Sequence, residues 1–206
     1  MFADDLVVLD FETTGLSPER GDRITEVAAV RLEAGRISDR YQSLANCGVR
    51  IPPFITDYTG ITQVMIDRAP PVGRVISELL EFIGETAIVA HNASFDQRFL
   101  DRECQLAKRR IEYQRLICSM RLSRRIYPRF SSHALGAVAK RLNISYRGAA
   151  HRAGADAEVA AKVVLNIGRA LRLRHSELSL DSDLLREIVK MPVAKTAELL
   201  RRRSAT

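Results

Sequence analysis

Long apolar runs and patterned cysteines are both missing from this 206-residue sequence. No run approaches the roughly 18 apolar residues that a membrane-spanning helix needs, so no membrane partner is expected. The three cysteines, Cys47, Cys104 and Cys118, are odd in number and far apart. This spacing predicts neither a disulfide framework nor a zinc finger, and indicates buried free thiols. The first ten residues are acidic, unlike a secretory signal, so we expect a cytoplasmic protein.

Internal repeats and low-complexity segments are also absent, while charge of one sign is in excess. The formal net charge is +7, and hydrophobic residues make up 46% of the chain, enough for a substantial core. A basic surface attracts polyanions such as nucleic acids, although a solvated helical face would show the same composition. The basic residues concentrate in one part of the chain: Lys108, Arg109, Arg110, Arg115, Arg121, Arg124, Arg125, Arg129, Lys140, Arg141, Arg147 and Arg152.

Three apolar segments near the start predict an antiparallel meander. The segment LVVLDF, from Leu6, predicts a buried strand because four apolar residues follow one another. Residues 24–32 and 37–44 predict two more strands, joined by a tight turn at Ala34 and Gly35.

Strand and helix patterns alternate after this meander. Residues 47–73 are rich in proline and glycine, which predicts a loop with one short helical turn at residues 63–66. The segment from Ser94 predicts a helix with a capping box, because Gln97 follows three residues later. Further helices are predicted in RVISELLEFI, in SSHALGAVAKRL with its serines as caps, and in GADAEVAAKVVLNIGRALRL; TAIVAHN and LICSM predict strands. This order indicates an α/β mixed sheet flanked by helices.

The character of the chain changes near residue 176. Two short helical patterns follow, separated by Pro192. We expect a domain over residues 1–175 and a helical C-terminal appendage over residues 176–206, which could serve as a docking segment.

The strongest chemical signal lies at the end of the first strand. Side chains alternate along a strand, so Asp10 and Glu12 share one face, about 6 to 7 Å apart, while Phe11 faces the opposite layer. Two carboxylates so close repel each other and need a counter-charge, either arginine or a hard divalent cation. A pair of this kind is more often structural than functional when it stands alone.

Two later segments offer further candidates. Asp96 lies in the first turn of the helix that follows TAIVAHN, where an acid also interacts favourably with the helix dipole. His151 and Asp156 lie five residues apart and could not share one face of a continuous helix. Gly154 allows a layout with His151 in a loop and Asp156 inside a helix.

Taken together, DFETTG, HNASFD and HRAGADA resemble the three motifs of the DEDD superfamily of 3′–5′ exonucleases, in its histidine-bearing DEDDh (DnaQ-like) branch. The resemblance runs from about Leu6 to Leu173 and is greatest to the proofreading members. It implies an α/β fold of the ribonuclease-H-like class, with a five-stranded mixed sheet flanked by helices.

The resemblance also implies a site. Four acids would hold two divalent metal ions, Mg²⁺ or Mn²⁺, with Asp10 bridging both ions. Glu12 and Asp156 would complete the site of the ion that activates water, and Asp96 would serve the second ion. His151 would be the general base.

The implied substrate is the 3′ end of a single-stranded nucleic acid, with DNA favoured over RNA. The segment formed by Thr13, Thr14, Gly15 and Leu16 resembles the one that contacts the terminal nucleotide. For Leu16, packing in the core is the alternative. The implied reaction is hydrolysis of phosphodiester bonds in single-stranded or frayed DNA, releasing nucleoside 5′-monophosphates during proofreading or repair.

Two other functions stay open at this point. One is an exoribonuclease of the same superfamily, because Thr59 in YTGIT departs from the family pattern at a position that bears on substrate preference. The other is an accessory binding subunit that docks a DNA polymerase subunit through residues 176–206.

Overall fold

One mixed sheet forms the centre of the protein. The computed structural model describes residues 2–111, 116–146 and 151–204. The strands run in the order β3-β2-β1-β4-β5; they are β1 (Leu6–Thr13), β2 (Ile24–Glu33), β3 (Arg36–Leu44), β4 (Ala87–Ala90) and β5 (Leu116–Cys118). β1, β2 and β3 pair antiparallel, whereas β4 is parallel to β1, and β5 to β4. The predicted five-stranded mixed sheet of the ribonuclease-H-like class is confirmed.

Helices flank this sheet. Those formed by the described residues are α1 (Pro53–Thr59), α2 (Gln63–Asp67), α3 (Val72–Ile83), α4 (Ala93–Leu106), α5 (Ser119–Ile126), α6 (Leu135–Arg141), α7 (Ala153–Arg174), α8 (Ser182–Lys190) and α9 (Thr196–Ser204). α7 packs on β1 and β2, and α4 packs on β1, β4 and β5. Within residues 2–111, 116–146 and 151–204, no helix is both long enough and apolar enough to cross a bilayer.

The predicted meander is confirmed, including its turn. Ala34 and Gly35 both have positive φ, 48° and 74°, as a two-residue hairpin that follows the right-handed strand twist requires. The three thiols are free and buried, as predicted.

Some local predictions were wrong at the level of turns and caps. The segment predicted as loop contains α1 as well as α2, because Pro52 and Pro53 stand at the helix start, where a missing N–H costs nothing. The predicted capping box at Ser94 does not form. Asn92, at φ 70°, is the N-cap residue of α4, and Ser94 lies inside the helix. Serine does not cap α6 either, because its N-cap residue is Ala134.

The C-terminal segment packs into the same core as the sheet. Leu180, Leu184, Leu185 and Leu199 are buried in the main hydrophobic cluster. The backbone of Leu180 also bridges to Phe2 near the other end of the described chain. The predicted pair of helices around Pro192 is present as α8 and α9, and the boundary at residue 175 stays a prediction.

Candidate active site

Three of the four predicted acids meet at the end of β1. Asp10 and Glu12 project from the same face of this strand, and Asp156 projects from the first turn of α7, which packs on β1. One carboxylate oxygen from each acid lies within 4.8 Å of the other two. Phe11, between the first two acids, is buried in the core. The alternation of strand side chains therefore separates a polar cluster from the apolar layer.

Asp96 lies beside this cluster but is held separately. It occupies the first turn of α4, directly after β4, and is only 3% exposed. The backbone N–H groups of Asp96 itself and of Phe11 lie near enough to its carboxylate to lower its pKa. Asp96 therefore lies beside the backbone between Asp10 and Glu12, at the edge of the three-acid group.

Burial and mutual repulsion disfavour the charged forms of these acids. Burial raises the pKa of Asp10 well above its usual range, and the charges of Asp96, Asp156, Glu12 and Glu26 add to the rise. Burial, with help from Asp156 and Glu26, raises the pKa of Glu12 to about 8. Burial likewise raises the pKa of Asp96 to about 8, against the opposite effect of the two backbone N–H groups. The group is thus electrostatically strained, as the sequence predicted.

Within the described parts of the chain, no Lys or Arg forms an ion pair with Asp10, Glu12, Asp96 or Asp156. All the donors of this cluster are carboxylate oxygens, the ligands that Mg²⁺ and Mn²⁺ prefer. The donor set and the missing counter-charge together fit divalent metal ions.

His151 lies in the loop directly before α7. Its φ is 63°, its backbone N–H donates to Asp156 Oδ2 at 3.1 Å, and its side chain is exposed. The imidazole stacks on the ring of Tyr58 in α1, with centroids 3.9 Å apart. The structure therefore brings His151 to the edge of the acid cluster and holds its ring on an aromatic face.

The turn after β1 contains the four predicted substrate contacts. Thr13 and Thr14 are buried, and their hydroxyls bind within the turn: Thr13 donates to Gly15 O at 2.6 Å, and Thr14 accepts from the N–H of Arg23 at 2.9 Å. A Cβ at Gly15 would clash with the Asp22 carboxylate, so this tight turn requires glycine. Leu16 is 78% exposed, which excludes the alternative of core packing for this residue.

Sequence reasoning missed the ion pair that fixes the His151 loop. Glu26 in β2 lies opposite Glu12 in the strand register and is 1% exposed. Arg152 binds it through two hydrogen bonds, at 2.7 and 3.0 Å, and the N–H of Ala153 adds a third, at 3.0 Å. Burial works to raise the pKa of Glu26, but the bonds from Arg152, Gln42 and Ala153 bring it below its usual value. A lone acid in the apolar run ITEVAAV was the one available signal.

Tyr146 is a second neighbour that the sequence did not reveal. Its hydroxyl lies near the carboxylate of Asp156 and lowers the pKa of that acid, which partly offsets the effect of burial. Burial and the Asp156 charge raise the pKa of Tyr146 in turn. The hydroxyl of Tyr146 therefore keeps its proton beside the cluster.

The family of the chain follows from comparison with known proteins. A model of the exonuclease family (RNase T) matches residues 7–164, which include all the acids described above. The chain belongs to the exonuclease family. This membership confirms the predicted DEDDh, DnaQ-like relationship and the predicted enzyme class, an exonuclease.

Relatives and a solved structure agree with that assignment. The 3′–5′ exonuclease DinG of Bacillus subtilis (strain 168) is 35% identical over 166 residues, covering 81% of this chain and 18% of DinG. The DNA polymerase III subunit epsilon of Aquifex aeolicus (strain VF5) is 30% identical over 161 residues, covering 78% of this chain and 79% of the subunit. The nuclease domain of 3′hExo, a DEDDh family member bound to rAMP, shares the fold with a TM-score of 0.73 at 21% identity, over 82% and 94% of the two chains. The chain thus spans less than a fifth of DinG.

Proposed function

We propose that this protein is a metal-dependent 3′–5′ exonuclease that removes nucleoside 5′-monophosphates from single-stranded or frayed DNA ends, in proofreading or repair. The observation that carries the proposal is the convergence of Asp10, Glu12 and Asp156, with Asp96 beside them. Such a cluster lacks a basic partner among the described residues and uses oxygen donors alone, which suits two hard cations.

Each acid has a role in this proposal. Asp10 would contribute to both ion sites, Glu12 and Asp156 would complete one of them, and Asp96 would serve the other. When bound, Mg²⁺ or Mn²⁺ would lower the pKa of a water nucleophile and stabilise the charge that develops on the phosphate and the leaving 3′ oxygen. The chain itself supplies the fixed positions of the carboxylates, on one strand and two helix starts.

His151 is the proposed general base. Histidine can accept a proton near neutral pH, so it can take the proton of the attacking water. Its loop is attached to the acid cluster through the N–H contact to Asp156 and through the Arg152–Glu26 pair next to it. The exposed ring can leave Tyr58 and turn toward a bound substrate, since loop motions of this size are common in enzymes.

The terminal nucleotide is proposed to lie against the turn formed by residues 13–16. Leu16 offers an exposed apolar side chain in this turn, suited to contact a base, and the absence of a Cβ at Gly15 makes room for the Asp22 carboxylate that holds the turn. The inward hydroxyls of Thr13 and Thr14 give these threonines the role of shaping the turn that a nucleotide contacts.

DNA is the proposed substrate because the relative from Aquifex aeolicus, similar over most of its own length, is a DNA polymerase III subunit. A polymerase subunit is likewise the proposed partner of residues 176–206. Since the inner leucines of α8 and α9 are buried, docking would use the outer face, where Val193 is exposed. The exoribonuclease alternative is favoured by one observation, the rAMP bound to the 3′hExo nuclease domain of similar fold.

One experiment tests whether the protein is an exonuclease, from which end it digests a strand, whether it prefers DNA or RNA, and whether it needs a metal ion. Matched DNA and RNA oligomers, labelled at the 5′ end, are digested with Mg²⁺, with Mn²⁺ or with EDTA. A ladder that shortens from the 3′ end, faster for DNA and abolished by EDTA, is expected. Asp10→Ala should remove the activity, whereas Asp39→Ala, which removes an exposed acid from β3, should keep it. Digestion by Asp10→Ala at the wild-type rate would overturn the proposal.

A further inference from the structure

A basic pocket opens two strands away from the acid cluster. It measures about 510 Å³, within the range of small-ligand sites, and lies beyond the ends of β4 and β5. α4, α5 and α8 surround it. The residues that bear on its chemistry are Ser94, Met120, Arg121, Arg124, Arg186 and Lys190.

The charge of this pocket is of one sign. Four cations line it, two from α5 and two from α8, helices that are distant in the sequence. Among the described residues that line it, none is Asp or Glu. Arg186 makes a long ion pair with Asp183, at 3.8 Å, and Arg124 contacts the sulfur of Met120 at 3.7 Å. Four positive groups around one concave surface favour an anion with several phosphates over a single small ion.

The pocket and the acid cluster lie along the same edge of the sheet. β1, β4 and β5 are parallel neighbours, so their carboxyl ends meet at one edge, and two strand spacings of ~4.8 Å separate β1 from β5 by roughly 10 Å. The first turn of α4 is common to both features, because Asp96 faces the cluster while Ser94 and Gln97 line the pocket. A single strand whose 3′ end lies at the acid cluster and which follows this edge would therefore reach the pocket within its first few nucleotides.

We propose that this pocket binds the backbone phosphates of the substrate strand a few nucleotides from its 3′ end. The proposal rests on the exonuclease function proposed above, which places the 3′ end at the acid cluster. Arg121, Arg124 and Lys190 contact the phosphates, and the apolar surface of Met120 packs against a sugar or base. The C-terminal helix α8 thus contributes to substrate binding in addition to its packing in the core.

Binding in EDTA tests this site without requiring hydrolysis. The triple variant Arg121→Gln, Arg124→Gln, Lys190→Gln is compared with a control, Arg36→Gln, Lys108→Gln, Arg110→Gln. The control removes three exposed charges from the opposite edge of the sheet, at the β2–β3 turn and beyond the end of α4. Fluorescence anisotropy with a DNA of about 12 nucleotides and with a dinucleotide gives Kd as a function of salt.

The pocket variant should bind the long strand about tenfold more weakly. The slope of log K against the logarithm of salt concentration should decrease in magnitude by about 2, because each phosphate contact on a single strand contributes about 0.7 and the variant loses three cations. Dinucleotide binding should change much less, and the control variant should resemble wild type. Equal weakening by both triple variants, or by neither, would overturn the proposal. Loss of nucleoside 5′-monophosphate binding with an unchanged long-strand Kd would reassign the pocket to free nucleotides, and so also overturn it.

A single substitution tests the same site independently, in case the triple variant does not fold. Ser94→Glu introduces a negative charge at an exposed pocket position, and an acid in the first turn of α4 interacts favourably with the helix dipole. We expect an unchanged Tm and weaker binding of the long strand. Wild-type affinity in Ser94→Glu would contradict the site. If wild type hydrolyses nothing yet shows this binding pattern, the exonuclease proposal fails while the phosphate pocket stands.

Discussion

Buried acids occur in two kinds of surroundings in this molecule. Glu26 and Glu103 are almost fully buried, and each is bound by two hydrogen bonds from one arginine, Arg152 or Arg23. The acids of the candidate site are buried or partly buried, yet Asp10, Glu12 and Asp156 face one another, and no Lys or Arg in the described parts of the chain forms an ion pair with them. Arg152, which lies near enough to lower the pKa of Glu12 slightly, is already bound to Glu26.

This difference separates structural acids from candidate functional acids. The protein has 32 Lys and Arg residues, so cations are available, and the fold supplies them to the two glutamates. The charged forms of the site acids have no ion-pair partner among the described residues, and a divalent ion from solution could neutralise them. A cluster of acids without counter-charges lowers the stability of the fold, so a role in binding explains its presence better than a structural role does.

The largest expected effect is on catalysis. Glu12→Gln should reduce kcat/KM on a single-stranded DNA by about a hundredfold to a thousandfold, because one charged group that stabilises the transition state is lost. The same change should not lower the Tm of the metal-free protein, since it removes repulsion. Steady-state digestion and thermal melting in EDTA measure the two quantities. A large drop in Tm would place Glu12 with the structural acids.

The next effect concerns the arginine-paired acids. Arg23→Ala leaves Glu103 buried without its partner, at 2% exposure, and should lower the free energy of unfolding by about 3 kcal/mol. Denaturant titration measures this change. Arg74→Ala, which breaks the exposed pair with Glu78, is the matched control and should change the free energy of unfolding much less than Arg23→Ala, because solvent screens exposed ion pairs. Equal effects of the two variants would remove the distinction between buried and exposed pairs.

Metal binding should stabilise the protein through the unpaired cluster. Mg²⁺ or Mn²⁺ at about 100 times its Kd should raise the free energy of unfolding by about 2.7 kcal/mol per bound ion. Melting curves with a titration of each ion test this. Glu12→Gln should respond much less, whereas Arg23→Ala should gain as much as wild type. An equal gain in Glu12→Gln would locate the ions elsewhere.

The smallest effect is a pH dependence of the metal-free protein. The pKa of Glu12 is raised from 4.5 to about 8, so its protonated form stabilises the fold; this contribution is complete below pH 4.5 and disappears as pH rises through 8. Between pH 7 and 8 the free energy of unfolding should fall by about 1 kcal/mol. Denaturation in EDTA at both pH values measures it, with Glu12→Gln as the control for other titrating groups. If the free energy of unfolding rose between pH 7 and 8 in wild type but not in Glu12→Gln, the prediction would be wrong.

Much of the fold could be predicted from short-range patterns. The strand at Leu6, the hairpin at Ala34 and Gly35, and the long helix α7 all follow from periodicity and turn chemistry, which act between near neighbours. Helix ends were harder, as the failed capping box at Ser94 shows. A side-chain cap forms only if the backbone at that residue has a suitable conformation. Here Asn92, between β4 and α4, has a left-handed φ and is the residue at which α4 begins.

The placement of single residues, like that of helix ends, depends on tertiary packing as well as on local patterns. The exposure of Leu16 excludes its packing in the core, while its contact with a nucleotide stays a prediction. Thr59 is buried, and its hydroxyl donates to Ile55 O at 2.8 Å. Two members of the predicted basic stretch, Arg115 and Arg147, lie outside the described residues. The remaining basic residues include two, Arg121 and Arg124, that line the pocket together with Arg186 and Lys190 of α8, a grouping that no local pattern indicated.

By itself, the sequence determined which side chains share a strand face, which segments are apolar enough to be buried, and which acids stand in motif order. Only the tertiary structure decided that Arg152 neutralises Glu26, 126 positions away, while Asp10, Glu12 and Asp156 meet without an ion-pair partner among the residues that the structure describes. The reason is physical. Local spacing determines the direction in which a side chain points, whereas the packing of distant elements determines which charged groups become neighbours. Burial increases the free-energy cost of a charge that has no such neighbour.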